Sequence, residues 1–174
     1  NQIAPATRMH IRRLTHADAP AFQALRLFAL NEAPSAFGSS YEEESAYPTS
    51  TIEGRLALKP DRGPFGAFEG DTLVGLIALG REGMKKLSHK VMLWGLYVRP
   101  EFRSKGIGRA LLVEAIALAR SVPEILQVSL RVNAGNAAAI RLYESLGFRS
   151  FGREPGSMRI NGEFHDELHM YLRL

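Results

Sequence analysis

The sequence contains no cysteine, which excludes disulfides, thiolate metal sites and a cysteine nucleophile and leaves nothing that argues for an oxidising compartment. No apolar run approaches the roughly 20 residues needed to span a bilayer, and the first residues lack the charged and apolar regions of a secretory signal. The expectation is a cytoplasmic chain with no membrane partner. Internal repeats, linkers and low-complexity tracts are also missing, so 174 residues with 45% hydrophobic and 23% charged composition read as one globular domain. Acidic residues are in the minority: 22 Lys and Arg against 18 Asp and Glu give a net charge of +4. That suits an anionic partner. Nucleic acid is the weaker alternative, because the basic residues are scattered and form neither a basic tail nor a recognition-helix pattern. Residues 1–8 are polar and aperiodic, which reads as a flexible N-terminal arm or a remnant of expression.

The periodicity then sets an order of elements. Met9 to Leu14 alternates as an edge strand, and Thr15-His16-Ala17-Asp18 reads as a capping box opening a helix that ends near Asn31. After a turn-rich connection, Tyr41 to Leu58 looks helical with an interruption at Pro48. Gly63 to Glu69 and Thr72 to Gly80 are strands joined by a Gly70-Asp71 turn. Lys90 to Val98 is almost wholly apolar, which predicts a strand buried on both faces at the sheet centre. A helix from Gly106 is stopped by Ser121-Val122-Pro123, and Ile125 to Val132 is again a strand, so a right-handed parallel crossover is expected. Asn136 to Leu146 is the last helix, and Asn161-Gly162 turns a closing hairpin. The fold class is α/β.

Chemistry concentrates where the apolar strand Leu93 to Val98 runs through Arg99-Pro100 into Arg103-Ser104-Lys105-Gly106-Ile107-Gly108-Arg109 and directly into a helix. The free N–H groups of a first helical turn, together with the helix dipole, make an anion site, and glycine lets a phosphate approach the backbone. Arg103, Lys105 and Arg109 add positive charge. Taken alone, such a turn is also a common way to begin a helix. It lacks the Gly-Lys-Ser/Thr ending of a Walker loop and the third glycine of a dinucleotide fingerprint.

Leu96-Tyr97-Val98-Arg99-Pro100, the Arg-x-x-Gly-x-Gly turn of Arg103 to Gly108 and the apolar helix after it resemble the pyrophosphate-binding segment of the GNAT N-acetyltransferases. Downstream, Asn136, Ala139, Ile140, Leu142-Tyr143 and Gly147-Phe148 resemble the second motif of the same superfamily. The resemblance covers nearly the whole chain. It implies a single N-acetyltransferase domain over residues 9–174, with a central mixed, mostly antiparallel twisted sheet flanked by helices and containing a splayed parallel strand pair. It also implies acetyl-CoA as donor substrate, no metal, and an acceptor amine on a small molecule or peptide. A homodimer is compatible with it, as is a noncatalytic acyl-CoA sensor.

Residue by residue, the backbones of Leu96, Tyr97 and Val98 would bond the pantetheine arm. The N–H groups of Ser104, Lys105, Gly106, Ile107, Gly108 and Arg109 would hold the pyrophosphate beside Arg103. Asn136 would touch the pantetheine from the other side, although an N-cap role explains it equally. Tyr143 would be the general acid for the departing thiolate, the alternative being a tyrosine that packs helix on sheet. The general base stays open among His89, Glu32, Glu43, Glu154 and Asp166. Acceptor specificity is expected in Asn31 to Tyr47, around Trp94 and in Arg153 to His165, because loops beside a fixed scaffold carry the variable site.

Overall fold

A computed structural model describes residues 8–174; most of the expected N-terminal arm, residues 1–7, lies outside them. The elements in chain order are β1 Met9–Arg13, α1 Ala19–Glu32, α2 Tyr41–Ser45, α3 Thr49–Arg55, β2 Gly63–Glu69, β3 Thr72–Arg81, β4 Lys90–Val98, α4 Ile107–Arg120, β5 Gln127–Asn133, α5 Ala137–Ser145, β6 Arg149–Ile160 and β7 Glu163–Arg173. The strands form one seven-stranded sheet in the order β1-β2-β3-β4-β5-β7-β6. Only β4 and β5 pair in parallel; every other neighbour is antiparallel. Among the described residues no helix is long and apolar enough to cross a membrane.

Each face of the sheet buries its own core. On one face α4 sets down Ile107, Leu111, Leu112, Ala115 and Ile116, the i, i+4 spacing of a helical stripe, against Val74, Ile77, Leu79 and Leu93. On the other face Phe22, Leu25 and Ala29 of α1 pack with Ile52, Leu76 and Tyr97. The turn chemistry matches the sequence: Asn161 and Gly162 have φ of 49° and 82°, as a type I′ hairpin requires. The Tyr41 to Leu58 region breaks into α2 and α3 because Pro48 caps the second helix in extended conformation.

β4 departs from the expected strand buried on both faces. Val91, Leu93 and Tyr97 are buried, whereas Met92, Trp94, Leu96 and Val98 are half-buried. Its pairing with β3 slips between Trp94 and Tyr97, where Gly95 takes a φ of 71°. One extra residue in a strand reverses the side-chain alternation beyond it. Leu93 therefore packs against α4 while Tyr97, four residues on, packs against α1.

Candidate active site

β4 and β5 stay paired only from Lys90–Gln127 to Met92–Ser129. Beyond Met92 they diverge, β5 remaining in register with β7 to Asn133. The divergence opens a cleft of about 590 Å³, walled by β4, the turn before α4, the end of β5 and the start of α5. Among the expected site residues, Leu96, Tyr97, Val98, Arg103, Ser104, Gly106, Ile107, Gly108, Arg109, Asn136 and Tyr143 line it; Lys105 does not.

The turn reaches the cleft through two left-handed residues, Ser104 at φ 62° and Gly106 at φ 79°. Ala110 N donates to Gly106 O at 3.0 Å, the first intrahelical bond of α4, so the amides ahead of it have no acceptor within the helix. At Gly108 an added Cβ would meet Leu142 at 3.6 Å and Val98 at 4.0 Å, which is ordinary contact. Packing therefore does not require glycine there, and the space it leaves belongs to the cleft. Arg109 reaches across to α5, donating to Ser145 Oγ at 3.0 Å. Lys105 places its ammonium 5.3 Å from the Phe102 ring centre.

Arg103 is exposed but tethered by hydrogen bonds. Its Nε donates to Val98 O at 2.9 Å and its Nη2 to Glu32 Oε2 at 2.8 Å. Tyr97 donates its hydroxyl to the same Glu32 oxygen at 2.8 Å. Burial is the largest influence on Glu32 and pushes it up, but the bonds from Arg103 and Tyr97 outweigh that and leave it below the usual carboxylate range. Burial, with Glu32 beside it, pushes the Tyr97 phenol well above its ordinary value.

Asn136 caps α5, its Oδ1 accepting from Ala139 N at 3.2 Å, and it also faces the cleft. Tyr143 is 7% exposed and packs edge-on to Phe148 with ring centres 5.7 Å apart. Burial pushes its phenol up to about 12.

A second cavity, of about 570 Å³, lies between the α1–α2 connection and the β6–β7 hairpin, lined by Asn31, Phe37, Glu42, Glu43, Ser157 and Arg159 among others. Two of the three regions expected to set specificity thus face each other across it. Trp94, the third, lines the first cavity instead. Between the two cavities Asn133 of β5 donates to Ser35 O at 3.4 Å.

The open candidates for a base are dispersed. His89 precedes β4, and at about 3.3 Å per strand residue it lies more than about 20 Å from Leu96. Glu43 closes the α2 capping box, accepting from Ser40 N at 2.8 Å. Asp166 is bound by Arg153 Nε and Gly156 N, both at 2.8 Å. Glu154 meets His169 Nε2 at 3.0 Å.

Glu44 is the residue that periodicity alone misplaces. In the run Glu42-Glu43-Glu44 it reads as part of a solvated helix face, yet it is fully buried, accepting from Arg26 Nε at 2.7 Å and Arg55 Nη1 at 2.6 Å. Both guanidiniums lie over the Trp94 ring, at 5.5 and 5.4 Å. This triad ties α1, α2 and α3 together beneath the β4 bulge, where Arg26 Nη1 would lie 3.3 Å from a Cβ at Gly95. Arg26 lies on α1, 18 residues before Glu44, and only its pairing with that distant Glu would have revealed it.

The acetyltransferase (GNAT) family profile matches residues 23–148. An N-alpha-acetyltransferase, RimI, of Mycobacterium tuberculosis is 33% identical over 120 residues, 68% of this chain and 72% of that protein. A spermidine N(1)-acetyltransferase of Thermoplasma acidophilum is 36% identical over 84 residues, only 48% of this chain and 48% of that enzyme. An acetyltransferase of Salmonella typhimurium, solved with its cofactor acetyl-CoA, superposes with a TM-score of 0.80 at 24% identity, covering 96% of this chain and 94% of its own. The chain belongs to the GNAT acetyltransferase family, and its seven-stranded sheet with the parallel β4–β5 pair is the family fold.

Proposed function

We propose that this chain, through its domain at residues 9–174, transfers the acetyl group of acetyl-CoA to a primary amine of a small molecule or peptide by direct attack. The observation that carries the reading is the divergence of β4 from β5 after three residue pairs, opening a cleft onto the N-terminus of α4. A strand edge left without a partner offers N–H and C=O groups to an extended amide chain. The pantetheine arm is such a chain, and Leu96, Tyr97 and Val98 are the residues that would pair with it. The amides of Ser104 to Arg109 receive the pyrophosphate with the positive end of the helix dipole. Lys105 and Arg109 add charge, and Asn136 contacts the arm from the opposite bank.

A neutral amine attacks the thioester carbonyl: the C–N bond forms, the C–S bond breaks, and a backbone N–H of Leu96 or Tyr97 stabilises the oxyanion between. Tyr143 donates its proton to the leaving thiolate. With its phenol pushed up to about 12, it holds that proton throughout the neutral range. Alignment of the two reactants contributes the larger share, about 7 to 11 kcal/mol, against about 10²- to 10⁴-fold for the acid.

The acceptor enters through the cavity between the α1–α2 connection and the β6–β7 hairpin. Relatives named for N-alpha acetylation and for spermidine acetylation set the two amine classes to try first. The test is a panel of spermidine, free amino acids and alanine-initiated peptides, read by release of the CoA thiol, with thermal shift by acetyl-CoA measured alongside. Absence of any stabilisation at saturating acetyl-CoA sinks the reading.

A further inference from the structure

An ammonium acceptor must lose a proton before its nitrogen can attack. His89 is at the wrong end of β4, and Glu32, Glu43 and Asp166 are each held by cationic or amide donors. Glu167, on β7, is placed differently. It pairs in register with Asn133, which lines the donor cleft, and directly opposed residues of an antiparallel pair share a face. Its Oε1 accepts from Ser157 Oγ at 2.5 Å, and Ser157 lines the acceptor cavity. Half-buried, Glu167 lines neither cavity itself but is linked on one side to Asn133 of the donor cleft and on the other to Ser157 of the acceptor cavity.

His165, its neighbour on the same face, is disqualified by its hydrogen bonds. Asn133 Oδ1 accepts from Gly135 N at 2.8 Å, which fixes the amide so that Nδ2 faces both Ser35 O and His165 Nδ1, the latter at 3.5 Å. An amide nitrogen only donates, so in this contact His165 Nδ1 can take part only as the acceptor. Its one lone pair is turned to Asn133.

Resting on the acetyl-transfer reading above, we infer that Glu167 is the general base, taking a proton from the acceptor ammonium and passing it through Ser157 to Glu154. Ser157 Oγ lies 3.2 Å from Glu154 Oε2 as well as beside Glu167, but it carries a single proton. Once Glu167 is protonated, its O–H donates to Ser157 Oγ, and the serine proton is free to go to Glu154. Glu154, with a side chain 46% exposed, hands it to water. The balance is complete: one ammonium proton leaves by this chain. A second leaves the nitrogen to water as the C–N bond forms, and water returns one to the Tyr143 phenolate in place of the proton it gave to the thiolate.

The charged and titratable groups around Glu167 are His165 and His169 on its own strand, Arg131 across on β5 and Glu154 on β6. The turn of residues 34–36 between the cavities brings none.

The test compares kcat/KM against pH for the wild type and Glu167→Gln, with acetyl-CoA and whichever of spermidine or an alanine-initiated peptide the wild type uses faster. At pH 7 the variant is expected to lose about 10²-fold or more. That loss shrinks as the pH approaches the amine's own pKa, about 8 for an α-amino group and about 10 for an alkylamine. Thermal stabilisation by acetyl-CoA stays as in the wild type. A variant as active as the wild type at pH 7, or a loss that is constant with pH, overturns the assignment of Glu167. A wild type that turns over no amine of the panel overturns the acetyl-transfer reading itself, and this inference with it. Ser157→Ala is expected to lose less and to keep the pH inflection; loss of the inflection moves the base from Glu167 to the serine network.

Discussion

Glu32, the last residue of α1, and Arg103, the first residue of the turn before α4, are joined at 2.8 Å beside the β4–β5 cleft that Arg103 lines. The pair ties the helix that borders the second cavity to the segment proposed to hold phosphate. With the Arg103 side chain 45% and the Glu32 side chain 29% exposed, such a pair contributes only about 0.2 to 1 kcal/mol. Glu32→Gln removes a negative charge from beside an anion site and releases the Arg103 guanidinium. Acetyl-CoA is expected to bind about two- to fivefold tighter at low salt, the factor shrinking as salt rises. Isothermal titration at two ionic strengths checks it, and weaker binding would mean that Glu32 positions Arg103 for the phosphates instead.

Gly108→Ala separates stability from binding. Alanine is favoured over glycine in a helix by up to about 1 kcal/mol, and the new methyl meets only ordinary contacts within the protein. The melting temperature should hold or rise slightly. Acetyl-CoA affinity should fall about tenfold or more, since a cost of about 1.4 kcal/mol suffices for that factor. A thermal scan with and without acetyl-CoA reads both effects, and unchanged affinity would take the pyrophosphate away from this turn.

Tyr143→Phe is expected to lower kcat by about 10²- to 10⁴-fold with little change in acetyl-CoA binding. The alkaline limb of stability gives a second readout. The phenol is pushed above its unfolded value, so its contribution is whole below about pH 10 and is lost as pH rises through about 12. Wild type should therefore lose about 3 kcal/mol more than the phenylalanine variant across that window. Denaturant melts at pH 9 and above measure the difference. Undiminished kcat under conditions where chemistry is limiting would leave Tyr143 a packing residue.

Glu44→Ala strands two guanidiniums, one of them 4% exposed, and should cost about 3 to 5 kcal/mol. For a chain of this length that lowers the melting temperature by about 10 °C or more. Replacing Arg26 and Glu44 together by Met and Leu should cost less than either single change, because no charge of that pair is left buried alone. Calorimetry of the three variants tests the order.

The fold was legible where local chemistry decides it. Gly70-Asp71 and Asn161-Gly162 mark turns by conformation, and the stripe from Ile107 to Ala119 marks a helix by period. Much of the lining of the β4–β5 cleft was legible for the same reason, since residues 103–109 and 136–143 are short contiguous motifs. Three features were hidden because they depend on contacts far apart in sequence. The β4 bulge at Gly95 appears only in the register with β3. The burial of Glu44 depends on Arg26, 18 residues away. The placement of Glu167 depends on which residues β5 and β6 set beside it.

The short parallel pairing of β4 with β5 has a mechanical consequence. Among the described residues three pairs, Lys90–Gln127 to Met92–Ser129, are the only ladder joining the slab β1-β2-β3-β4 to the slab β5-β7-β6. The sheet is thus a hinge with its pin at one end, and α4, which leaves one slab and leads into the other, is its spring. Amides along the seam should be the first of the sheet to exchange with solvent. A ligand lying in the gap would work as a brace, slowing exchange on both banks at once, so the geometry proposed to admit the donor would also let its arrival stiffen the wall of the cavity proposed for the acceptor.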